Sequence, residues 1–350
     1  MNGRGSADDG YASFAIFTAL KVCQDQGIKL PKITLVLETE EETDSAQLRN
    51  LLEQAKDIIG TPDYLICMDS GLVDYKHLWI TSSLRGYCEF NLKVACGAQD
   101  YHSGEAGGII PETFNVIRVL LDRLNDPKTG IFKEFQEDIP AWKYEEAKSV
   151  VQVVGDQIAT KFKMEPGVAY QNTNLEELYL DNVWRPTLAI VGMEGVPNFG
   201  AAKNVIRAST SIRVGLRIPP SADPKKIAER IKVLMTTDVP FNAAAEILEE
   251  PETGLGWLMK AWEAGDPFKC KLEEISQTYF KSPTFSYGDG ASIPFLKELE
   301  LKYPNTRILA LGVLGPGSNA HSKDETLDLN YAKSMICVLA DIFKGITTLA

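Results

Sequence analysis

Carboxylates and one histidine stand beside short apolar segments of this sequence, and their residue types suit metal binding. Asp8 lies in the glycine-rich run Gly-Arg-Gly-Ser-Ala-Asp-Asp-Gly that begins at residue 3. A glutamate-rich run covers residues 38–42, Asp69 follows a second apolar segment, and His321 follows a late one. One histidine with several carboxylates is a ligand set for Zn²⁺, Mn²⁺ or Co²⁺. The glutamate-rich run taken alone is also consistent with a solvated strand end and helix start.

The elements predicted around these residues alternate between helix and strand. The apolar pattern predicts helices over residues 11–26, 45–59, 292–301 and 330–344, and strands over residues 33–37, 63–68 and 307–314. Such alternation is typical of an α/β domain with a mostly parallel central sheet, right-handed crossovers and helices on both faces. Ligands bind beyond the carboxyl ends of such strands, which is where the candidate metal ligands stand.

A different pattern occupies the middle of the chain. Strand, helix, strand, strand, helix and strand are predicted over residues 87–94, 111–124, 187–191, 209–218, 223–236 and 241–248. This order is the split βαβ pattern of a ferredoxin-like α+β domain. We expect residues 126–185 to be irregular, partly helical and wrapped over the surface. The predicted organisation is therefore a catalytic domain in two parts, residues 1–82 and 288–350, with a domain inserted over residues 83–287.

Composition excludes some classes of function. The chain has 350 residues, of which 44% are hydrophobic and 24% are charged, as in ordinary globular proteins. Its formal net charge of -12 disfavours a nucleic-acid partner, because phosphate backbones are bound by clustered Lys and Arg. No apolar run approaches the length of a membrane span, and no signal-peptide pattern begins the sequence. We expect no membrane association and a cytoplasmic location.

The cysteines and histidines are few and carry different expectations. Six cysteines are scattered without a CxxC spacing, and we expect Cys67 and Cys337 to be buried thiols in a reducing compartment. The chain has three histidines. His77 precedes Leu-Trp and is expected to be structural, whereas His102 and His321 stand in loops rich in Gly and Ser.

Five stretches of the sequence together resemble a known family. They are Gly3-Arg4-Gly5-Ser6-Ala7-Asp8-Asp9-Gly10, Glu38-Thr39-Glu40-Glu41-Glu42, Met68-Asp69-Ser70, Asp100-Tyr101-His102-Ser103-Gly104 and the late His321. In this order they resemble the metallopeptidase family that includes carnosinase, cytosolic nonspecific dipeptidase, carboxypeptidase G, aminoacylase and acetylornithine deacetylase. The resemblance covers essentially the whole chain. It implies a zinc-peptidase-like catalytic domain whose inserted domain is a lid and dimerisation domain.

The resemblance implies a metal centre with defined ligands. Asp8 would bridge two ions and be followed by a cis peptide bond. Glu42 and His321 would bind the first ion and Asp69 the second, while Glu41 would be the general base toward the attacking water. Two divalent ions are implied, with Zn²⁺ expected first and Mn²⁺ or Co²⁺ as alternatives. Such a pair, about 3.5–4 Å apart, stabilises the attacking and developing oxygens of acyl transfer.

The resemblance also implies a substrate side. His102 would reach across a homodimer to stabilise the tetrahedral intermediate. Arg217 and Asn204 would hold the substrate carboxylate or its surroundings, since a guanidinium can grip both oxygens. An ordinary surface position remains open for both residues. The loop residues that would line the pocket are Gly290, Ala291 and Ser292.

One motif of the family has no counterpart in this sequence. It is an earlier His-x-Asp motif, whose histidine binds the second ion. We therefore expect a weakened second metal site that keeps Asp8 and Asp69 as ligands. We also expect the sequence to be a truncated form of a longer enzyme.

The leading hypothesis is a metal-dependent hydrolase of small peptides, most like a dipeptidase or carboxypeptidase, acting as a homodimer. A deacylase of N-acyl amino acids remains an alternative, because the pocket shape that separates the two cannot be read from the sequence. A catalytically inactive homologue that only dimerises is the alternative from another class. A nucleotide-binding protein is disfavoured, because neither a Gly-x-Gly-x-x-Gly motif opening a helix nor a Gly-Lys-Ser/Thr motif occurs.

Overall fold

The structure is a computed structural model that describes residues 1–41, 45 and 47–349. The helices in this part of the chain are α1 Tyr11–Asp25, α2 Leu48–Gln54, α3 Lys56–Ile59, α4 Ser103–Ala106, α5 Thr113–Leu121, α6 Ala141–Val154, α7 Gln157–Thr160, α8 Leu175–Val183, α9 Pro224–Thr236, α10 Pro267–Tyr279, α11 Pro294–Lys302 and α12 Leu329–Leu349. The strands are β1 Tyr64–Gly71, β2 Trp79–Leu84, β3 Gly86–Ala95, β4 Tyr101–His102, β5 Thr187–Glu194, β6 Val205–Ile206, β7 Ser209–Ile218, β8 Ala244–Ile247, β9 Glu252–Gly254, β10 Trp257–Leu258, β11 Phe285–Asp289 and β12 Arg307–Leu314.

Parallel strand pairs bring the candidate metal ligands to one edge. β1 pairs in parallel with β12, from Tyr64 opposite Arg307 to Gly71 opposite Leu314. β11 pairs in parallel with β2, and β10 is antiparallel to β2. Helices α1 and α12 pack together in the core on these strands, with Ala19, Met335 and Leu339 almost fully buried. Because β1 and β12 are parallel, Asp69 near the end of β1 lies at the same edge of the sheet as the loop that follows β12 and carries His321.

The inserted region forms an antiparallel sheet of order β5-β7-β3-β8. Numbered by their order in the chain, these are the second, third, first and fourth strands of a ferredoxin-like unit, and α5 and α9 lie over β3. Burial alternates along β3 and β7, so one face builds a second core with buried side chains such as Leu92, Val214 and Ile231. The predicted fold class, an α/β domain with a ferredoxin-like insertion, is confirmed.

Two strand predictions differ from the structure. Residues 33–37 are not a strand, and Val36 and Leu37 are about half exposed. A β-strand requires hydrogen bonds to a neighbouring strand, and no described strand pairs with residues 33–37. Conversely, β2 was not predicted, although all six of its residues are buried. Its sequence Trp-Ile-Thr-Ser-Ser-Leu contains three consecutive small polar residues, which hide the apolar character of a buried strand.

Three further helices contribute to the core that contains α1 and α12. Ala147 and Val150 of α6, Leu180 of α8 and Phe268 of α10 are buried there. The expectation that residues 126–185 wrap the surface is therefore wrong for α6 and α8. The division into residues 1–82, 83–287 and 288–350 stays a prediction.

Two further sequence expectations concern the thiols and the membrane. The six cysteines are free, as expected. Cys67 is largely covered, but Cys337 is exposed, because it lies on the outer face of α12. Its predicted burial is wrong. Among the described helices, none has both the length and the apolar character needed to cross a membrane.

Candidate functional site

The turn before α1 fixes the backbone around Asp8. The amide of Gly10 donates to the Gly5 carbonyl at 2.9 Å, and a Cβ added at Gly10 would lie 2.5 Å from that oxygen. Gly5 has φ of +77°, which glycine adopts readily. The peptide bond between Asp8 and Asp9 is cis, as the resemblance implied. The glycines of this run are therefore required by the turn that carries Asp8.

A buried acid anchors this turn to the opposite end of the chain. The Glu325 side chain is fully buried, and its carboxylate accepts from the backbone amides of Gly5 (2.9 Å), Ala7 (2.7 Å) and Asp8 (2.9 Å). Arg4 adds an ion pair at 3.2 Å. Burial alone would raise the pKa of Glu325, but these donors favour its charged form and leave the pKa below its ordinary value.

The anchored turn meets the predicted histidine. Nε2 of His321 lies 3.0 Å from Oδ2 of Asp8. The aspartate is mostly buried, whereas the imidazole is 67% exposed. His321 has φ of +61°, a conformation that residues other than glycine seldom adopt and that recurs at functional sites. Two predicted ligands of the first metal, 313 positions apart in the sequence, are thus in direct contact.

The other predicted acids gather around the end of β1. Burial, together with the charges of Asp69, Asp9 and Glu41, raises the pKa of the Cys67 thiol to about 12. Each of these carboxylates must therefore lie within electrostatic reach of the same buried sulfur atom. Asp9 and Asp69 act in the same way on the phenol of Tyr11, which donates to the Met68 carbonyl at 2.6 Å.

The donor set fits a divalent ion only in part. Glu42, a predicted metal ligand, lies outside the described residues. Within the remaining chain, no three side chains of His, Cys, Asp or Glu converge closely enough to hold a metal ion. The Asp8–His321 pair nevertheless offers one carboxylate oxygen and one imidazole nitrogen at contact distance, which is the chemistry of a zinc or manganese site.

The inserted domain brings together two predicted substrate residues. β4 pairs with β6, so that His102 lies opposite Val205. The amide of Ser103 donates to the carbonyl of Asn204 at 2.9 Å, which makes His102 and Asn204 neighbours. The exposed imidazole of His102 accepts from the Gly104 amide at 3.2 Å.

The predicted pocket loop contacts the predicted arginine. We call residues 288–292 the return loop; they are the last two residues of β11 and the three residues that follow toward α11. Nη1 of Arg217 donates to Oγ of Ser292 at 2.8 Å. Asp289 approaches the end of β1, since a Cβ added at Gly71 would lie 3.3 Å from its carboxylate oxygen. The return loop thus connects the Arg217 region with the strand that carries Asp69.

A second arginine, which sequence reasoning missed, also holds the return loop. Arg85 is buried and donates to the carbonyls of Gly290 (3.0 Å) and Arg185 (3.2 Å), while its backbone amide donates to Ala291 (3.0 Å). Burial and the positive charge of Arg217 lower the pKa of Arg85 to about 10. In the sequence, Arg85 follows Thr-Ser-Ser-Leu, a largely polar stretch that gives no signal of its burial.

Glu325 was also missed, because it follows Ser-Lys-Asp in a stretch that looks solvated. His77 is structural, as predicted. Its ring contacts Asp74, whose carboxylate also accepts from Trp79 at 3.2 Å. These contacts hold the loop between β1 and β2.

Comparisons with known proteins identify the family of this chain. A family model described as peptidase family M20/M25/M40 matches residues 1–345. The Beta-Ala-His dipeptidase of Rattus norvegicus is 27% identical over 339 residues, which are 94% of this chain and 67% of that relative. The solved structure of the di-peptidase Dug1p from Saccharomyces cerevisiae matches with a TM-score of 0.73 at 20% identity, covering 99% of this chain and 72% of that one.

A second solved structure of different specificity has the same fold. It is an M20 family metallo-carboxypeptidase from Sulfolobus solfataricus, which matches with a TM-score of 0.73 at 18% identity and covers 99% of this chain and 78% of that one. The predicted family and the predicted class, a metal-dependent hydrolase of peptide bonds, are confirmed. The family model matches all but the last residues of this chain, and an aspartate and a histidine are in contact at the carboxyl edge of its sheet. This chain belongs to peptidase family M20/M25/M40.

Proposed function

We propose that this chain is a dipeptidase that acts on short peptides with a free carboxyl terminus. The observation that carries the proposal is the contact between the side chains of Asp8 and His321. Glu325 holds the Asp8 turn in place through hydrogen bonds to its backbone. The buried Glu325 carboxylate accepts hydrogen bonds from three backbone amides and thereby fixes the position of the Asp8 turn. It contributes no charge at the protein surface. The result is a carboxylate and an imidazole that are aligned before any ligand arrives.

The proposed metal ligands are Asp8, Glu42 and His321 for one ion, with Asp69 and Asp8 for a second, weaker site. A divalent ion held there would lower the pKa of the attacking water and polarise the scissile carbonyl. Glu41 takes the proton from this water as general base, and its effect on the Cys67 thiol is consistent with a position near the end of β1. Zn²⁺ is the ion we expect first.

The proposed substrate side is the surface shared by Arg217, Ser292 and the lid residues. Arg217 binds the substrate carboxylate, and its hydrogen bond to Ser292 orients the guanidinium toward the return loop. His102 donates to the oxyanion that develops on the scissile carbonyl. Asn204, its neighbour on β4 and β6, supports this region.

We propose that residues 83–287 contain the lid and that the chain forms a homodimer through it. The support is β5, the outer strand of the lid sheet, where Ile190, Val191 and Met193 are each more than 40% exposed. An outer strand with exposed apolar side chains is prone to pair with a second copy of itself. A cytoplasmic location is also part of this proposal.

The decisive experiment measures dipeptide hydrolysis and bound metal on the same preparation. We expect turnover with added Zn²⁺ or Mn²⁺, and a loss of about a hundredfold or more on Glu41→Gln, since a general base contributes factors of this size. Bound metal, measured by elemental analysis, should be unchanged in Glu41→Gln and lower in His321→Ala. Asp57→Asn, in the short helix α3, is the matched control for loss of an acid.

Three results would contradict the proposal in different ways. Hydrolysis of N-acetyl amino acids without hydrolysis of dipeptides would identify a deacylase of the same family. Full activity of Glu41→Gln would remove Glu41 as the base. Absence of turnover on either substrate, with a stable dimer, would mean that the chain acts through dimerisation alone.

A further inference from the structure

A lysine that has no part in the proposed reaction is completely buried beneath the return loop. Lys143 of α6 has no exposed side-chain surface, and its ammonium donates to Oγ of Ser82 (3.0 Å) and Ser83 (2.7 Å) and to the carboxylate of Glu146. Both serines lie on β2, next to Arg85. The lysine thus connects α6 with the strand that leads into the lid.

The network continues to the return loop through a tyrosine. The phenol of Tyr179 on α8 donates to Oε1 of Glu146 at 2.8 Å and accepts from the backbone amide of Gly288 at 2.5 Å. Tyr179 is 4% exposed and Glu146 is 6% exposed, so these hydrogen bonds are shielded from water. Each hydrogen bond in this network therefore fixes the position of the next side chain in the series.

The backbone of the return loop packs tightly against this network. A Cβ added at Gly288 would lie 2.5 Å from Nζ of Lys143 and 2.6 Å from Oγ of Ser83. At Gly290, an added Cβ would lie 2.9 Å from the carbonyl of Asn182 on α8. Glycine is required at both positions because the loop backbone lies directly on these side chains and on α8.

The charges of the network argue for a positional role. A buried ion pair such as Lys143–Glu146 contributes little to stability compared with apolar residues of the same volume, because both charges lose their hydration. Burial lowers the pKa of Lys143, and the Glu146 carboxylate opposes this shift. Burial also raises the pKa of Tyr179 well above its ordinary value, so its phenol remains a donor to Glu146.

We propose that Lys143, Glu146 and Tyr179 are positioning residues. They fix the position of the return loop and thereby the selectivity for a free substrate carboxylate. The path runs from Tyr179 to the Gly288 amide, along the loop to Ser292, and from Oγ of Ser292 to Arg217. The inference rests on the proposed function, because it takes Arg217 as the group that binds the substrate carboxylate.

The test compares two ligands that differ only at the carboxyl terminus. The first is a dipeptide analogue whose amide is replaced by a reduced CH₂–NH linkage, and the second is the same analogue with a C-terminal amide. Dissociation constants are measured by calorimetry on the full chain. Tyr179→Phe keeps the ring and removes the hydroxyl. Tyr303→Phe is the matched control, because the Tyr303 hydroxyl is equally buried and has no hydrogen-bond partner among the described residues.

The expected result is specific to the carboxylate. Wild type should bind the carboxylate analogue more tightly than the amide, and Tyr179→Phe should weaken carboxylate binding by about five- to tenfold, as expected for loss of one buried hydrogen bond. Binding of the amide should be unchanged, and Tyr303→Phe should change neither. Glu146→Gln, which retains an acceptor for Tyr179, should lose less than Tyr179→Phe.

Two results would overturn the inference. One is an equal loss for both ligands in Tyr179→Phe, which would indicate a general disturbance of the fold. The other is the absence of any preference for the carboxylate in wild type. By contrast, wild type that discriminates the two ligands but hydrolyses no peptide would contradict the proposed hydrolase and leave the positioning network standing.

Discussion

The metal side and the substrate side of the candidate site are supported in opposite ways. On the metal side, the reactive groups lie near the surface, with His321 67% exposed, and a single buried acid, Glu325, holds the turn from behind. On the substrate side, a network of buried polar side chains lies under the return loop, and Arg85, between β2 and β3, also holds the loop.

This difference indicates what each side has to tolerate. A metal site must admit an ion and water, so its ligands stay accessible, and precision comes from one charged anchor on the backbone. A carboxylate pocket must reject ligands that lack the charge, which requires donors at fixed positions in a site that cannot relax. We therefore expect a substitution of Glu325 to cause one large loss of stability and of bound metal. Substitutions in the network under the return loop should each cause a smaller loss.

The largest effect is expected for Glu325→Gln. The amide side chain keeps one acceptor but presents an NH₂ group to backbone amides that need an acceptor. We expect the free energy of unfolding to fall by about 2 to 3 kcal/mol, in line with the loss of hydrogen bonds to a charged group. Urea denaturation at neutral pH measures this change, and bound metal should fall in parallel because Asp8 loses its anchor.

The control for this variant is Asp324→Asn, which removes an exposed acid at the adjacent position. It should change the free energy of unfolding by less than about 0.5 kcal/mol. If Glu325→Gln were as stable as Asp324→Asn, the contrast between a single anchor and a distributed network would be lost.

The stabilisation that Glu325 provides should depend on pH. Because the folded protein holds the pKa of Glu325 below its ordinary value of 4.5, the unfolded chain binds the proton more readily. The stabilisation is therefore fully present above about pH 4.5 and is lost as the pH falls through the lower folded pKa. The difference in unfolding free energy between wild type and Glu325→Gln should be constant near neutral pH and should narrow below about pH 4.5. A difference that stayed constant down to about pH 3 would mean that the charge of Glu325 is not the anchor.

A smaller effect is expected for Gly288→Ala on the substrate side. The added methyl group would lie 2.5 Å from Nζ of Lys143, which is buried and cannot move into solvent. We expect a loss of about 1 to 2 kcal/mol in unfolding free energy, as is typical of overpacking, together with weaker carboxylate binding. Gly200→Ala is the matched control, because the nearest atom to its added Cβ is 3.9 Å away. Identical stability of the two variants would show that the return loop is not tightly seated.

The fold was predictable where local patterns and topology agree. The ferredoxin-like sheet of the inserted region could be predicted because β3 and β7 alternate cleanly and the order of its six elements is characteristic. β2 escaped because a buried strand rich in Ser and Thr carries no apolar pattern. Residues 33–37 have the composition of a strand, but strand formation depends on a pairing partner, which composition does not report.

The site was predictable where function depends on residue type, and less so where it depends on support. The turn at Asp8 and the loop of His321 were found because glycines, acids and a histidine stand out in sequence. Glu325 looks like a solvated charge because it follows Ser-Lys-Asp, and Lys143 looks like one because it precedes the charged pair Glu145-Glu146. Their burial is created by elements far away in the chain, which no local pattern encodes.

The smallest effect is expected for Ser292→Ala, which removes the acceptor for Nη1 of Arg217 at 2.8 Å. Arg217 keeps its charge, so the carboxylate is still attracted, but the guanidinium is less well oriented. We expect the KM for a dipeptide to rise by about fivefold with kcat unchanged, since the loss of this orienting hydrogen bond costs about 1 kcal/mol. The KM for the corresponding dipeptide amide should not change. Ser282→Ala, whose hydroxyl donates to the adjacent Pro283 carbonyl, is the control. A fall in kcat without a change in KM would instead connect Ser292 with the transition state, and the separation of the site into a metal side and a substrate side would no longer hold.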